Sequence, residues 1–192
     1  MKILKSLAAL LLIFTMADAQ AQTNIPQGYS KGTIVLANGS SLAGYLKDDI
    51  RKDATVSFYN EADKKNKEYD ATELSAVQLD NTKFVCISGD FFKVVSEGEL
   101  CFLQKASNAS GKVVYNGLEN VVINGTEGKA GDYFICNSST KELKKVSKKN
   151  INEVAVNSFA GCAAAIEKAK AANGDIAMVK DAVDIYNRRN SQ

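Results

Sequence analysis

From Gly32 to Val146 the chain is cut into short apolar runs by glycine, asparagine and aspartate, at spacings of roughly 8–12 residues. This punctuation restricts the fold more than any other feature. Runs of about five residues joined by tight turns can pair only antiparallel, because a parallel pair needs a crossover of a dozen or more residues. No helical periodicity interrupts the series, so a βαβ architecture is excluded. The best-specified piece is "GTIVLANGSSLAGYL", residues 32–46, where Ile34, Leu36 and Leu42 flank Asn38-Gly39. Asn-Gly is the dipeptide that most readily takes the two positive-φ positions of a type I′ hairpin turn. "ATVSFYN", a charged turn "EADKKNK", and "EYDATELSAVQLD" follow, the last read as two strands around a turn. "TKFVCI", "FFKVVSEGELCFLQ", "KVVYNGLENVVI" and "DYFIC" complete the β region.

The texture changes near Lys141. Lys141, Lys144, Lys145, Lys148 and Lys149 form a basic run, and the chain beyond it has helical spacing. Asn150 or Ile151 starts a short helix through Val154. A second helix contains Ala163, Ala164, Ala165 and Ile166 and stops at Asn173-Gly174, glycine being the usual residue where a helix ends in a left-handed turn. A third begins at Asp175, a good N-cap, and sets Ile176, Val179, Val183 and Tyr186 on one face. Helices with apolar residues on one side need a surface to cover, and the nearest is a face of the β region. The expected fold is therefore α+β: a mainly antiparallel meander, barrel-like or sandwich, with two to three C-terminal helices packed on it.

Residues 1–19 read as an export signal. Lys2 and Lys5 precede the apolar run Leu7–Met16, and Ala17-Asp18-Ala19 or Ala19-Gln20-Ala21 supplies the small-x-small cleavage pattern. The apolar run is shorter than the ~20 residues of a membrane-spanning helix, and the first cysteine is Cys86, so no lipid-anchor cysteine follows the cut. The expected organisation is a signal at 1–19 (cleavage after 21 being the other option), a flexible linker at 20–30, a β domain at 31–146, a helical cap at 147–188 and a disordered tail at 189–192. Localisation is expected to be periplasmic or secreted, with no transmembrane segment left after cleavage.

Composition narrows the chemistry. The 192 residues carry a formal charge of +2 and include no histidine and no tryptophan. A near-neutral balance argues against a nucleic-acid partner, which demands a basic face. Without histidine there is no Ser-His-Asp triad, no Cys-His pair and no histidine-ligated metal. Asp48, Asp49 and Asp53 lack the spacing of a calcium loop, and "EGKAGD" (127–132) lacks the ending of a phosphate-binding loop. No cofactor is expected. The four cysteines, Cys86, Cys101, Cys136 and Cys162, match no metal-site spacing. A meander through "KFVCI", "FFKVV" and "LCFLQ" would separate Cys86 from Cys101 by an intervening strand, ~9.5 Å, beyond disulfide reach. Cys136, ending a strand, and Cys162, near a helix start, form the candidate disulfide.

Several segments together resemble a family of exported proteins common in Bacteroidota. They are "KGTIVLANGSSLAGYL", "KEYDATELSAVQLD" running into "TKFVCI", "VVSEGELCFL", and "KKNINEVAVNSFAGCAAAIEKA" with the later "VDIYN". The family's features fall here on Asn150, Phe159, Cys162, Tyr186 and Asn187. The resemblance implies export and a β domain followed by helices. It carries over no catalytic residue, since the family has no assigned activity. Many members place a cysteine just after Tyr-Asn, where this chain has Arg188-Arg189. Cys162 is thus left to Cys136, or stays free.

The functional expectation is an exported, non-catalytic cell-envelope protein, a binding module or an accessory to a surface assembly, whose partner is an envelope protein or a glycan. The lysines at 141, 144, 145, 148 and 149 are the candidate patch for an anionic partner. The alternative is a small hydrolase acting on glycan or peptide through two carboxylates, which requires a pocket holding two acids, one with a raised pKa.

Overall fold

The computed structural model describes residues 25–109, 112–115, 117–123 and 125–189. The export signal expected at residues 1–19 lies outside them. Among the described residues no helix is long and apolar enough to cross a membrane. The strands are β1 (Ser30–Leu36), β2 (Ser41–Asp49), β3 (Thr55–Asn60), β4 (Lys65–Asp70), β5 (Leu74–Leu79), β6 (Thr82–Ile87), β7 (Asp90–Ser96), β8 (Leu100–Lys105), β9 (Lys112–Tyr115), β10 (Asn120–Ile123), β11 (Tyr133–Asn137) and β12 (Leu143–Val146). The helices are α1 (Ile50–Asp53), α2 (Ile151–Ser158), α3 (Ala163–Ala171) and α4 (Val179–Arg188). Ten strands form one antiparallel sheet, in the order β12-β11-β8-β7-β6-β5-β1-β2-β3-β4, and β9 pairs with β10 apart from it. The α+β expectation holds, with an open sheet rather than a closed barrel.

The sheet is rolled at one end. β4 and β5 are joined by Ala71, Thr72 and Glu73 alone, yet β3, β2 and β1 stand between them in the sheet. Four chain steps span at most about 14 Å, whereas four flat inter-strand spacings need about 19 Å. The sheet must curl to bring β4 back towards β5, and its concave side holds Ile34, Leu46, Val56, Phe58, Tyr69, Leu74, Val77, Phe84 and Phe91. Gly32 and Gly44 face each other across β1 and β2 on the inside of this curl. A Cβ on Gly44 would come 2.8 Å from the Phe58 ring and from the Tyr59 carbonyl. Both glycines make room for side chains crossing the roll. Ile50, at the start of α1, is buried in the same core, and the Asp48 carboxylate accepts its backbone N–H.

At the other end the sheet is two-faced. Strand alternation sends Leu100, Phe102 and Ile135 to one side, where they join Val146, Ile151, Val154, Phe159, Ala165, Ala169, Val183 and Tyr186 in the core beneath the helices. Phe92, Leu103, Phe134 and Cys136 point to the opposite side. The C-terminal helices therefore cover one face only.

Asparagines fasten the helices to the sheet. Asn187 on α4 accepts the Leu100 N–H at 3.0 Å and donates to the Glu97 and Leu100 carbonyls. Asn150 folds back on the turn before α2, accepting from the Ser147 N–H and hydroxyl and donating to the Lys145 carbonyl. α2 continues past Val154, where the sequence suggested a stop, to Ser158. Asn173 and Gly174 both take positive φ after α3, as expected of a helix terminator. Asp175 caps a single 3₁₀ turn before α4. The polar end of α4 does not fray through Arg189: its guanidinium lies 3.4 Å from the Tyr186 ring centroid and pairs with Glu99 at 2.8 Å. The linker is likewise held at Tyr29, which meets the Tyr59 ring edge-on and accepts a hydrogen bond from Asn66.

Candidate functional sites

The expected Cys136–Cys162 disulfide does not form. Cys136 sits at the end of β11 on the open face of the sheet, whereas Cys162 precedes α3 and packs into the helical core behind it. All four cysteines are free. The separation of Cys86 from Cys101 is as the meander required, with β7 between β6 and β8.

The open face carries a cavity of about 380 Å³. Val85, Ile87, Val94 and Leu103 make its apolar wall, Cys86, Cys101 and Cys136 line it, and Glu97 and Lys141 bring charge to it. Burial, reinforced by the Asp70 carboxylate, pushes the Cys86 thiol up to about 12. Burial first, and then neighbouring Cys101, raise the Cys136 thiol, with Lys141 acting in the opposite sense. Since the thiolate is the reactive form, Cys86 is expected to alkylate more than ~10³-fold more slowly in the folded protein at pH 8 than in the unfolded chain, whose thiol has an ordinary pKa near 8.5. Peptide-level labelling with iodoacetamide measures this. Equal rates in the two states would show that the site opens freely.

The lysine run does not form one patch. Strand alternation along β12 turns Lys144 and Lys145 to opposite faces of the sheet, opposite Ile135 and Phe134 respectively. Lys144 pairs with Glu142 at 3.5 Å, and Lys145 with Asp132 at 2.7 Å. Lys141 occupies a left-handed turn position between β11 and β12, and Lys148 and Lys149 lie exposed in the turn before α2. A broad open groove runs past Asp132, Lys145, Lys148 and Asp175. Its two acids have structural tasks. Asp175 accepts the Ala177 N–H. Burial disfavours ionisation of Asp132, but Lys145 and the Lys129 N–H outweigh it and hold the carboxyl below its ordinary value. A two-carboxylate hydrolase needs the opposite displacement in one of its acids. Asp184 is also depressed, burial being overcome by Lys180 and Ser96. Among the described residues no group of three or more cysteine or carboxylate side chains is placed to hold a metal ion.

Two features have no counterpart in the sequence reading. Asp90 and Lys105 form an ion pair at 3.0 Å with both side chains fully buried. The Asp90 carboxylate accepts from the Ala109 N–H and from the N–H and hydroxyl of Thr126. The Lys105 ammonium donates to the carbonyls of Thr126, Glu127 and Gly128. Every strong donor and acceptor of the pair is engaged, and the network ties the segments on both sides of β9 and β10 to the sheet.

The second feature is the exposure of the β9–β10 ribbon, whose two strands do fall within the expected β segment "KVVYNGLENVVI". Val122 stands opposite Val113, and Asn120 opposite Tyr115, so Val113, Tyr115 and Val122 share one face. They are 57%, 66% and 57% exposed, and Leu118 in the connecting turn is 91% exposed. The paired valines of "KVVYNGLENVVI" were the signal: they make apolar strands without the polar alternation of a half-buried edge. No family model, curated protein or solved structure matches the chain.

Proposed function

We propose that the chain is an exported, non-catalytic accessory protein of the cell envelope, akin to the Bacteroidota proteins it resembles, which docks on a protein partner through the β9–β10 ribbon. The exposed stripe of Val113, Tyr115 and Val122 carries this reading. Contiguous exposed apolar surface of this kind marks interaction sites, and an isolated two-stranded ribbon is marginal in water unless something covers it. The ribbon pairs with no strand of the main sheet among the described residues. Its outer edges therefore offer main-chain hydrogen bonds to an added strand, while the valines supply pockets for its side chains. Charge favours a protein over a lipid surface. Residues 112–123 contain Lys112 and Glu119 as their only charges, whereas a membrane-surface element is rich in lysine and arginine on its polar face.

The test is site-specific photo-crosslinking of the exported full-length chain, with the crosslinker at position 113 or 122 and, as control, at Ser139 on the β11–β12 turn. One protein crosslinked from both ribbon positions, absent from the control and lost in a V113K/V122E background, is the expected result. Crosslinks to a second copy of the chain, to lipid only, or to nothing from a correctly exported bait would overturn the docking assignment.

A further inference from the structure

Cys101 and Cys136 stand directly opposite each other on β8 and β11. The Ser138 N–H donates to the Glu99 carbonyl, and two residues further along an antiparallel ladder the same hydrogen-bonded type of pair recurs. At such positions the Cα atoms are about 5.5 Å apart, inside the roughly 4.4–6.8 Å range that a disulfide spans, while the Cβ atoms, also about 5.5 Å apart, must approach by about 1 Å for the bond to close. Both side chains leave the sheet on the same face and border the same cavity. The other pairings are closed by the fold. Cys86 faces Phe91 in the register, with β7 between it and Cys101. Cys162 is on the far side of the sheet.

We propose that Cys101 and Cys136 form a dithiol–disulfide exchange site, with the adjoining cavity admitting a low-molecular-weight disulfide. Cys101 is half-buried and Cys136 buried, which sets the order of events. The Cys101 thiolate attacks one sulfur of the incoming disulfide, whose S–S bond breaks. The released thiolate takes up a proton, leaving a mixed disulfide on Cys101. The Cys136 thiolate then attacks the Cys101 sulfur, forms the cross-strand bond and expels the second small thiol. Two protein thiols are oxidised and one small disulfide is reduced to two thiols. The proposal is independent of the ribbon, on the separate β9–β10 sheet.

Oxidised glutathione is the probe. The folded, reduced full-length chain is incubated with it, quenched with acid, alkylated and digested with trypsin. Cleavage after Lys93, Lys105, Lys129 and Lys141 separates the two cysteines onto peptides 94–105 and 130–141. The expected product is these two peptides joined, with free thiols recovered at Cys86 and Cys162. C136S is expected to stop at a glutathione adduct on Cys101, and C101S to react far more slowly. Dithiothreitol should return the starting thiols. The assignment is overturned by adducts on Cys101 in the wild type that never resolve, by a bridge involving Cys86 or Cys162, or by a 101–136 bridge that appears only after unfolding in urea.

Discussion

Lys105→Met is expected to lower the unfolding free energy by about 3–5 kcal/mol, the usual cost of removing one partner from a buried ion pair. The loss comes from Asp90. Its carboxylate is fully buried, and without the ammonium its charge is opposed only by the dipoles of Ala109 and Thr126. The pair itself is not expected to be worth that much. Two charges removed from water recover their desolvation only through close geometry and complete hydrogen bonding, so D90N/K105M should regain a substantial part of the loss. Urea unfolding of the wild type, both single variants and the double variant forms a closed cycle that isolates the coupling. A K105M variant within about 0.5 kcal/mol of wild type would mean that water reaches Asp90 and that the network does not anchor the segments around β9 and β10.

This network also shows where sequence reasoning stopped. Asp90 follows Ser88-Gly89 and reads as a turn acid. Lys105 ends a strand and reads as a solvated lysine. Nothing local to either residue announces burial, because burial comes from chain segments that return long after β8. The strands around them were legible, since alternation and turn residues are local signals, and β6, β7 and β8 do form the expected consecutive meander.

The roll of the sheet was not legible. Gly32 and Gly44 look like ordinary boundary glycines, and their need to lack a Cβ appears only once Leu46 and Phe58 cross over them. "EYDATELSAVQLD" was correctly divided into two strands. Their failure to pair with each other depends on β5 docking against β1, a contact distant in sequence. The lysine run misled for a different reason. A charge cluster in the sequence becomes a patch only when the backbone keeps it on one side, and the extended backbone of β12 separates Lys144 from Lys145. Asn150, Phe159, Cys162, Tyr186 and Asn187, quoted above for the resemblance, all sit where the helices meet the sheet.

Phe159→Ala probes that junction, and a loss of about 3–5 kcal/mol is expected for a buried phenylalanine cut to alanine. Phe159 follows α2, is fully buried, and packs its ring 5.7 Å from that of Tyr186 on α4. α3 offers only Ala165 and Ala169 as fully buried residues there, so there is little bulk to move into the space the ring leaves. The form of the transition carries as much information as its midpoint. Leu100, Phe102 and Ile135 of the sheet belong to the same apolar cluster as the helices, so loosening the cluster should weaken sheet and helices together. Far-ultraviolet circular dichroism reports the helices, and, in a chain without tryptophan, tyrosine emission reports mainly the sheet, which carries Tyr45, Tyr59, Tyr69 and Tyr133 against Tyr186 alone on the helices. The two signals should lose their structure in one coincident step, at lower urea than the wild type and with an unchanged slope. Two separated transitions, with the helical signal lost first, would show that the cap is a separable layer whose docking the sheet does not need.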